Sequence, residues 1–574
     1  MPAATESQPL SAGNERFLSA WLLALILAIP VIGGLAGVVL PALGWFPILG
    51  GDSLSLVPAQ GFLATPGLDN AVMLALGIGL SASLLSLVGS FALLAAAAAV
   101  VPRGLLRRLM GPLIAVPHST IAIGILFLLA PSGWLMRLAS PLLTGLEQPA
   151  GWPLVPDPYG FSLVFGLLAK EIPFLVLVSI AAMAVMPVRQ LRMVGASLGY
   201  GHAACWWLVI LPLVYRRIRL PLMAVLIFSL SVVDMTLILG PSLPPPLAVL
   251  VVQGFEDADL AARLPASFGA CLQLVLTVLA IGIWYVGERL IAILVHHIRY
   301  NGWRLPQLAA PTMLLAIAAV LPVLAGIFGL VAAGLWSLAS GWFFPDALPA
   351  ALSLQAWARA PVLLPALGNS LVVALLATLL SVVLVLFMLR GDGAGPHRSP
   401  LLLLAIFAPL LLPQVSFVLG LQMMLTYLRL DGSWLALVWM HALFILPYVW
   451  LVLAPASALD RRYAITAATL GIPPLRRYLL VTLPLLSPAI ITALFIGLSV
   501  SVALYLPSLF AGAGRLPTIT VEAVALASGG SRQITGVAAM LQILIPLTGF
   551  WLMHFWYQQR YGRFAGMQAG DHDS

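Results

Sequence analysis

Charge is what this sequence most lacks. Only 8% of its 574 residues are Asp, Glu, Lys or Arg, against about 25% in soluble domains. Hydrophobic residues make up 62% and the mean hydropathy is +1.08. A soluble enzyme, a disordered scaffold and a secreted disulfide module are all excluded. Cysteine is nearly absent too: Cys205 and Cys271 form neither a disulfide framework nor a CxxC pair, so both read as packing residues and thiolate chemistry has no support. The single lysine, Lys170, follows Ala169 inside an apolar run. A phosphate-cradling GxxxxGK[ST] loop is therefore impossible. No HExxH, GxSxG or paired-carboxylate arrangement stands on a plausible soluble surface, and His118 and His441 are not spaced as metal ligands. The chain thus reads as a non-enzyme that binds no metal or cofactor of its own.

What is abundant is apolar length. Runs able to cross a hydrocarbon core of about 30 Å as helices fall near 17–40, 70–101, 111–130, 161–187, 220–240, 267–295, 310–337, 366–389, 401–427, 434–457, 485–507 and 534–557. The expected fold class is all-α, a polytopic membrane protein of about twelve transmembrane helices. Span one is long and interrupted by Pro30, with no clean cleavage site after it, so it reads as an uncleaved anchor rather than a signal peptide. With the N-terminus inside, nineteen arginines lie on the cytoplasmic side. Six lie outside: Arg137, Arg263, Arg359, Arg429, Arg515 and Arg532. Since basic residues are retained in the cytoplasm, the expectation is a multi-pass bacterial inner-membrane protein with both termini cytoplasmic. The net charge of +8 is then topological, with no call for nucleic acid.

The chain also repeats itself once. Gly44-Trp45-Phe46-Pro47 returns as Gly341-Trp342-Phe343-Phe344-Pro345, Asn70 as Asn369, and Pro117 with Gly124 as Pro413 with Gly420. Collinear matches at nearly constant offset divide the chain into two six-span halves, residues 1–305 and 306–574. Between spans four and five of each half, Ala196-Ser197-Leu198-Gly199 leads to Leu211-Pro212, and Ala468-Thr469-Leu470-Gly471 leads to Leu483-Pro484, with identical internal spacing. Alanine and leucine favour a short helix, glycine permits the left-handed conformation that ends it, and Leu-Pro marks re-entry into the membrane. One such loop is readily an ordinary inner loop carrying retention charges; two matched copies are not.

At these residues the chain resembles the permease subunits of type I ABC importers, whose cytoplasmic loop carries E-A-A, three residues, G, nine residues and I-x-L-P. Gly199 with Val209-Ile210-Leu211-Pro212, and Gly471 with Val481-Thr482-Leu483-Pro484, fit that frame. Two loops in one chain resemble the fused permeases of the iron(III) and thiamine importer group. Met193 and Ile465 stand at the family's glutamate position, so any ion pair from that glutamate to the ATPase is absent. The resemblance implies a separate cytoplasmic ATP-binding subunit in two copies, carrying ATP and Mg, and a periplasmic binding protein that delivers a small solute such as thiamine or ferric iron.

Ionisable and polar residues inside spans are the candidates for a translocation pathway, because a charge in hydrocarbon is costly unless paired or hydrated. They are Asp234, with Ser231 behind it, Lys170 and Glu171, His118 and Gln414. Lys170 and Glu171 point about 100° apart on a helix and so serve different neighbours; Lys170 with Asp234 is a candidate interhelical ion pair. His441, Gln422 and Gln542 can line a wet path or simply bond helix to helix. Glu256, Asp257 and Asp259 form a small acidic cluster in the outer loop 241–266, suited to a docking protein or to plain solvation. The rival reading is a twelve-span secondary transporter driven by an ion gradient, with Asp234, Lys170 and Glu171 as coupling charges. Such a carrier has no need of two matched glycine-turn loops. A membrane enzyme or structural anchor would not explain the repeat.

Overall fold

The computed structural model describes residues 28–49, 51–97, 103–152, 154–389, 400–459 and 461–561. Residues 17–27 of the expected first span lie outside them, as do Arg16, Arg390, Arg398, Arg563 and both chain ends. The first half of the sequence contributes α1 (Ala28–Ala42), α2 (Leu68–Ala97), α3 (Arg103–Ala115), α4 (His118–Leu129) and α5 (Phe161–Ala184). It continues with α6 (Val188–Ser197), α7 (Leu211–Ser231), α8 (Asp234–Leu239), α9 (Leu247–Glu256) and α10 (Arg263–Tyr300). In the second half come α11 (Ala309–Leu338), α12 (Leu364–Leu389), α13 (Pro400–Leu411), α14 (Gln414–Tyr427) and α15 (Trp434–Leu459). The last are α16 (Arg461–Thr469), α17 (Leu483–Ala503), α18 (Leu506–Gly512), α19 (Ile519–Ala527) and α20 (Arg532–Tyr561). Extended structure among the described residues is limited to a two-residue pairing of Ala339–Ser340 with Ala351–Leu352 and a single bridge between Phe46 and Gly51. The fold is all-α, as composition demands.

Among the described residues nine helices are long and apolar enough to cross a membrane, or ten if the bent pair α13 and α14 counts as one span. The expected spans that do not appear as single rods are informative. Span 111–130 is α3 and α4, broken at Val116–Pro117; proline has no N–H to donate and drives the residue before it out of the helical region. Pro413 does the same between α13 and α14, which meet at a bend of 105°. Span 220–240 is α7, which begins earlier at Leu211 and carries Arg216, Arg217 and Arg219, followed after the break at Val232–Val233 by α8. The stretch expected as an outer loop at 241–266 holds the apolar helix α9, and the segment after α18 holds α19, with Leu247, Val251 and Ile519 buried. Asp157, in the segment before α5, ties down that helix start: its carboxylate accepts from the N–H groups of Tyr159, Phe161 and Ser162 and from the Ser162 hydroxyl. Burial alone would raise its pKa, but those bonds hold it below the usual carboxylate value.

Helix association in lipid depends on close approach rather than on burial from water, and glycine supplies it here. A Cβ on Gly124 of α4 would sit 2.7 Å from the backbone of Gly329 in α11, and one on Gly37 of α1 would sit 2.2 Å from the carbonyl of Gly420 in α14. The opening helix of each repeat therefore crosses the Pro-broken span of the other. Gly124 and Gly420, two of the residues that mark the repeat in the sequence, stand at equivalent crossings.

Candidate functional site

A break inside the membrane leaves two charged ends on one span: orphan carbonyls, negative, on the helix that stops, and orphan N–H groups, positive, on the helix that starts. Between α3 and α4 the protein answers each end with an ionisable side chain. The Lys170 ammonium, on α5, donates to the carbonyls of Leu113 at 2.9 Å and Ile114 at 2.7 Å, and to that of Val116. All three of its protons face the C-terminal end of α3. Asp234, opening α8, lies beside His118 and the Ser119 N–H in the first turn of α4. The expected Lys170–Asp234 ion pair does not form: Lys170 bonds the end of α3, while Asp234 sits between the start of its own α8 and the start of α4. Glu171 points to a different neighbour from Lys170, as the helical angle requires, and places its carboxylate 3.6 Å from Nε2 of His118. Lys170, Glu171 and Asp234 are 5%, 5% and 6% exposed, whereas the His118 side chain keeps 24% of its surface open. Ser231 is buried and its hydroxyl bonds back to the Ile227 carbonyl at 3.0 Å, within its own helix. Gln414, half-buried, opens α14 just as His118 opens α4.

The same turn of α4 is bonded across to the second repeat. Gln542 of α20 donates to the hydroxyls of Ser119 at 3.0 Å and Thr520 at 2.8 Å and accepts from Thr120. All four side chains are buried. His441 of α15 bridges α17 and α18, with Nδ1 2.8 Å from Ser501 and Nε2 3.1 Å from Ser508. Gln542 and His441 are therefore satisfied interhelical bonds; the buried Gln422 carbonyl oxygen, by contrast, has no hydrogen-bond partner among the described residues. Sequence reasoning missed a second centre. Two guanidiniums lie over the Trp336 ring, Arg137 at 5.3 Å and Arg532 at 5.1 Å, and both arginines donate to the Ser132 carbonyl. The signal was available, since both belong to the six arginines that fall on the wrong side of the charge rule.

The two loops have matching geometry. After α6 and α16 the backbone turns through Gly199 at φ +81° and Gly471 at φ +76°, the left-handed region that glycine enters without strain. Wide π-turns follow at Trp206–Ile210 and Tyr478–Thr482, and α7 and α17 then start at Leu211-Pro212 and Leu483-Pro484. The wide turn falls where a regular helix would need the N–H that proline lacks. Leu-Pro is thus a widened joint in a continuing helix rather than a fresh start. Ala196, Gly199, Ala468, Gly471 and Pro484 are exposed, Leu211, Pro212 and Leu483 half-buried, and Leu198 and Leu470 stand 55% and 75% open. Met193 and Ile465, at the positions of the absent glutamate, are 56% and 63% open. The first loop is braced: Tyr200 lies under Arg304 at 4.5 Å, His202 bonds the Ala95 carbonyl at 2.8 Å, and Trp207 donates to Thr312 of α11 at 2.9 Å. Cys205 packs beneath Gly195, and burial pushes its thiol pKa up. That makes it a packing residue rather than a reactive one.

Among known proteins the chain is similar to the inner membrane ABC transporter permease protein YnjC of Escherichia coli (strain K12), at 32% identity over 443 residues, 76% of this chain and 78% of that protein. It is also similar to the putrescine transport system permease protein PotI of Escherichia coli (strain K12), at 28% identity over 212 residues, 33% of this chain and 72% of that one. No family profile and no solved structure matches the chain.

Proposed function

The chain belongs to the inner membrane ABC transporter permeases, and on that premise we propose that it is the complete translocation unit of an importer, two fused six-span domains covering residues 1–305 and 306–574. Each exposed loop docks one copy of a separate cytoplasmic ATP-binding subunit, which holds ATP and Mg. A periplasmic binding protein delivers a small solute, and both termini lie in the cytoplasm. The observation that carries this reading is the pair of loops, with left-handed Gly199 and Gly471, the same π-turn after each, and apolar Leu198 and Leu470 held out from the protein. Exposed leucines at the inner face of a membrane protein suit a protein partner. Closure of the ATPase dimer would push both loops and rock the repeats about the pathway between α4 and α14, past His118, Glu171 and Gln414. The name of PotI specifies putrescine; the importer group that the loops resemble adds thiamine and ferric iron as candidate solutes.

Gentle purification of the tagged chain from its native membrane tests this. A soluble ATPase is expected to stay bound, one copy per loop. Gly199→Val combined with Gly471→Val, each a left-handed position costing roughly 1–2 kcal/mol without glycine, should release it or uncouple hydrolysis from uptake. Recovery of the chain alone, with uptake that collapses under an ionophore while ATP persists, would establish an ion-gradient carrier instead.

A further inference from the structure

The charge at the broken-helix centre is confined to the first repeat. At the spacings that relate the repeats, Gln414 stands for His118, Ala442 for Lys170, Leu443 for Glu171 and Leu506 for Asp234. The second repeat therefore builds its own break, α13 to α14, with no ionisable group at any of these positions. Lys170 answers the end of α3 with three hydrogen bonds, and Asp234 lies among the first backbone N–H groups of α8 and α4. Glu171 does neither. Its carboxylate is buried, and its one hydrogen-bonding or ion-pairing partner among the described residues is the His118 imidazole at 3.6 Å, longer than a hydrogen bond. The neighbouring Lys170 adds charge attraction but gives its hydrogen bonds to the α3 carbonyls, and a buried carboxylate without a close bond of its own is costly to keep.

His118 lies beside Asp234 and has two further neighbours. One side meets Glu171; the other meets the Phe228 ring, with centroids 4.6 Å apart. Its open surface makes it the approach to the cluster. No three His, Cys, Asp or Glu side chains among the described residues gather closely enough to hold a metal ion, so the cluster offers charge without a coordination sphere. We propose that Glu171, with Asp234 behind it, is the anionic counter-group that receives the positively charged nitrogen of a small organic cation in transit. The cation displaces the His118 imidazole and is flanked by the π face of Phe228. This assignment rests on the permease reading above and adds a substrate class to it.

The test is thermal unfolding of the full-length chain in detergent, followed by tryptophan fluorescence, with millimolar putrescine or thiamine as probes and with glucose and ionic-strength-matched sodium chloride as controls. An organic cation, and neither control, is expected to raise the melting temperature by a few degrees. Glu171→Gln should abolish the rise and Glu171→Asp should keep part of it. His118→Gln, which copies the second repeat, should enlarge the rise because the competing imidazole is gone. Equal responses in the wild type and Glu171→Gln, or no response to either cation, overturn the proposal. Should Glu171→Gln fail to fold, His118→Gln decides, and a smaller rise than in the wild type overturns it. Retained ATPase without a cation response defeats this inference alone; loss of the ATPase from the wild-type chain defeats the permease reading.

Discussion

Lys170 survives in hydrocarbon because its partners are backbone. Placing an ammonium at the centre of a spanning helix costs about 2.5–3.5 kcal/mol, while hydrogen bonds to a charged group are worth about 1.5–3 kcal/mol each, and Lys170 faces three carbonyls at the end of α3. The bonds win. Lys170→Met removes the charge but strands those carbonyls, and is expected to lower stability by at least about 2 kcal/mol, read as a fall in the melting temperature of the purified chain. An unchanged melting temperature would mean that the end of α3 is satisfied in another way. The sequence singled out Lys170, Glu171, Asp234 and His118 because ionisable residues stand out in apolar runs. It could not pair them correctly, since carbonyls and helix ends carry no side-chain signature.

At the scale of elements, what was legible and what was not divide by range. The loops were legible because a glycine turn and a proline thirteen residues later are local features with local consequences, and both appear where the spacing puts them. Proline breaks at Pro117 and Pro413 were open to the same reasoning but were hidden by continuous hydrophobicity on either side. The break at Val232–Val233 has no proline to announce it. The glycine crossings belong to pairs of elements. Gly124→Leu places a side chain where the backbone of Gly329 already lies 2.7 Å away, so α4 and α11 must separate. Loss of a monodisperse peak in size-exclusion chromatography is expected. Gly282→Ala serves as control, because no atom lies within 4 Å of the added carbon. If Gly124→Leu behaves like that control, the crossing is not a constraint.

Over the whole molecule, orientation is the largest consequence of a weak signal, the distribution of arginines. Leu142, in the segment between α4 and α5, is 95% exposed and falls on the outer side when both termini are cytoplasmic. Leu142→Cys is expected to react with a membrane-impermeant maleimide added to intact spheroplasts, while Cys205 stays buried and unreactive. Labelling only after the membrane is opened would invert the topology. Membrane residence, helical class and the glycine turns of the two loops were determined by sequence alone, because hydrophobicity, spacing and turn chemistry act within a few residues of where they are written. Tertiary structure decided that the opening helix of each repeat crosses to the other, that Lys170 bonds the end of α3 while Asp234 sits between the starts of α8 and α4, and that Glu171 is left to His118. Those outcomes depend on which backbones come within a few ångströms of one another, and no periodicity along the chain encodes that.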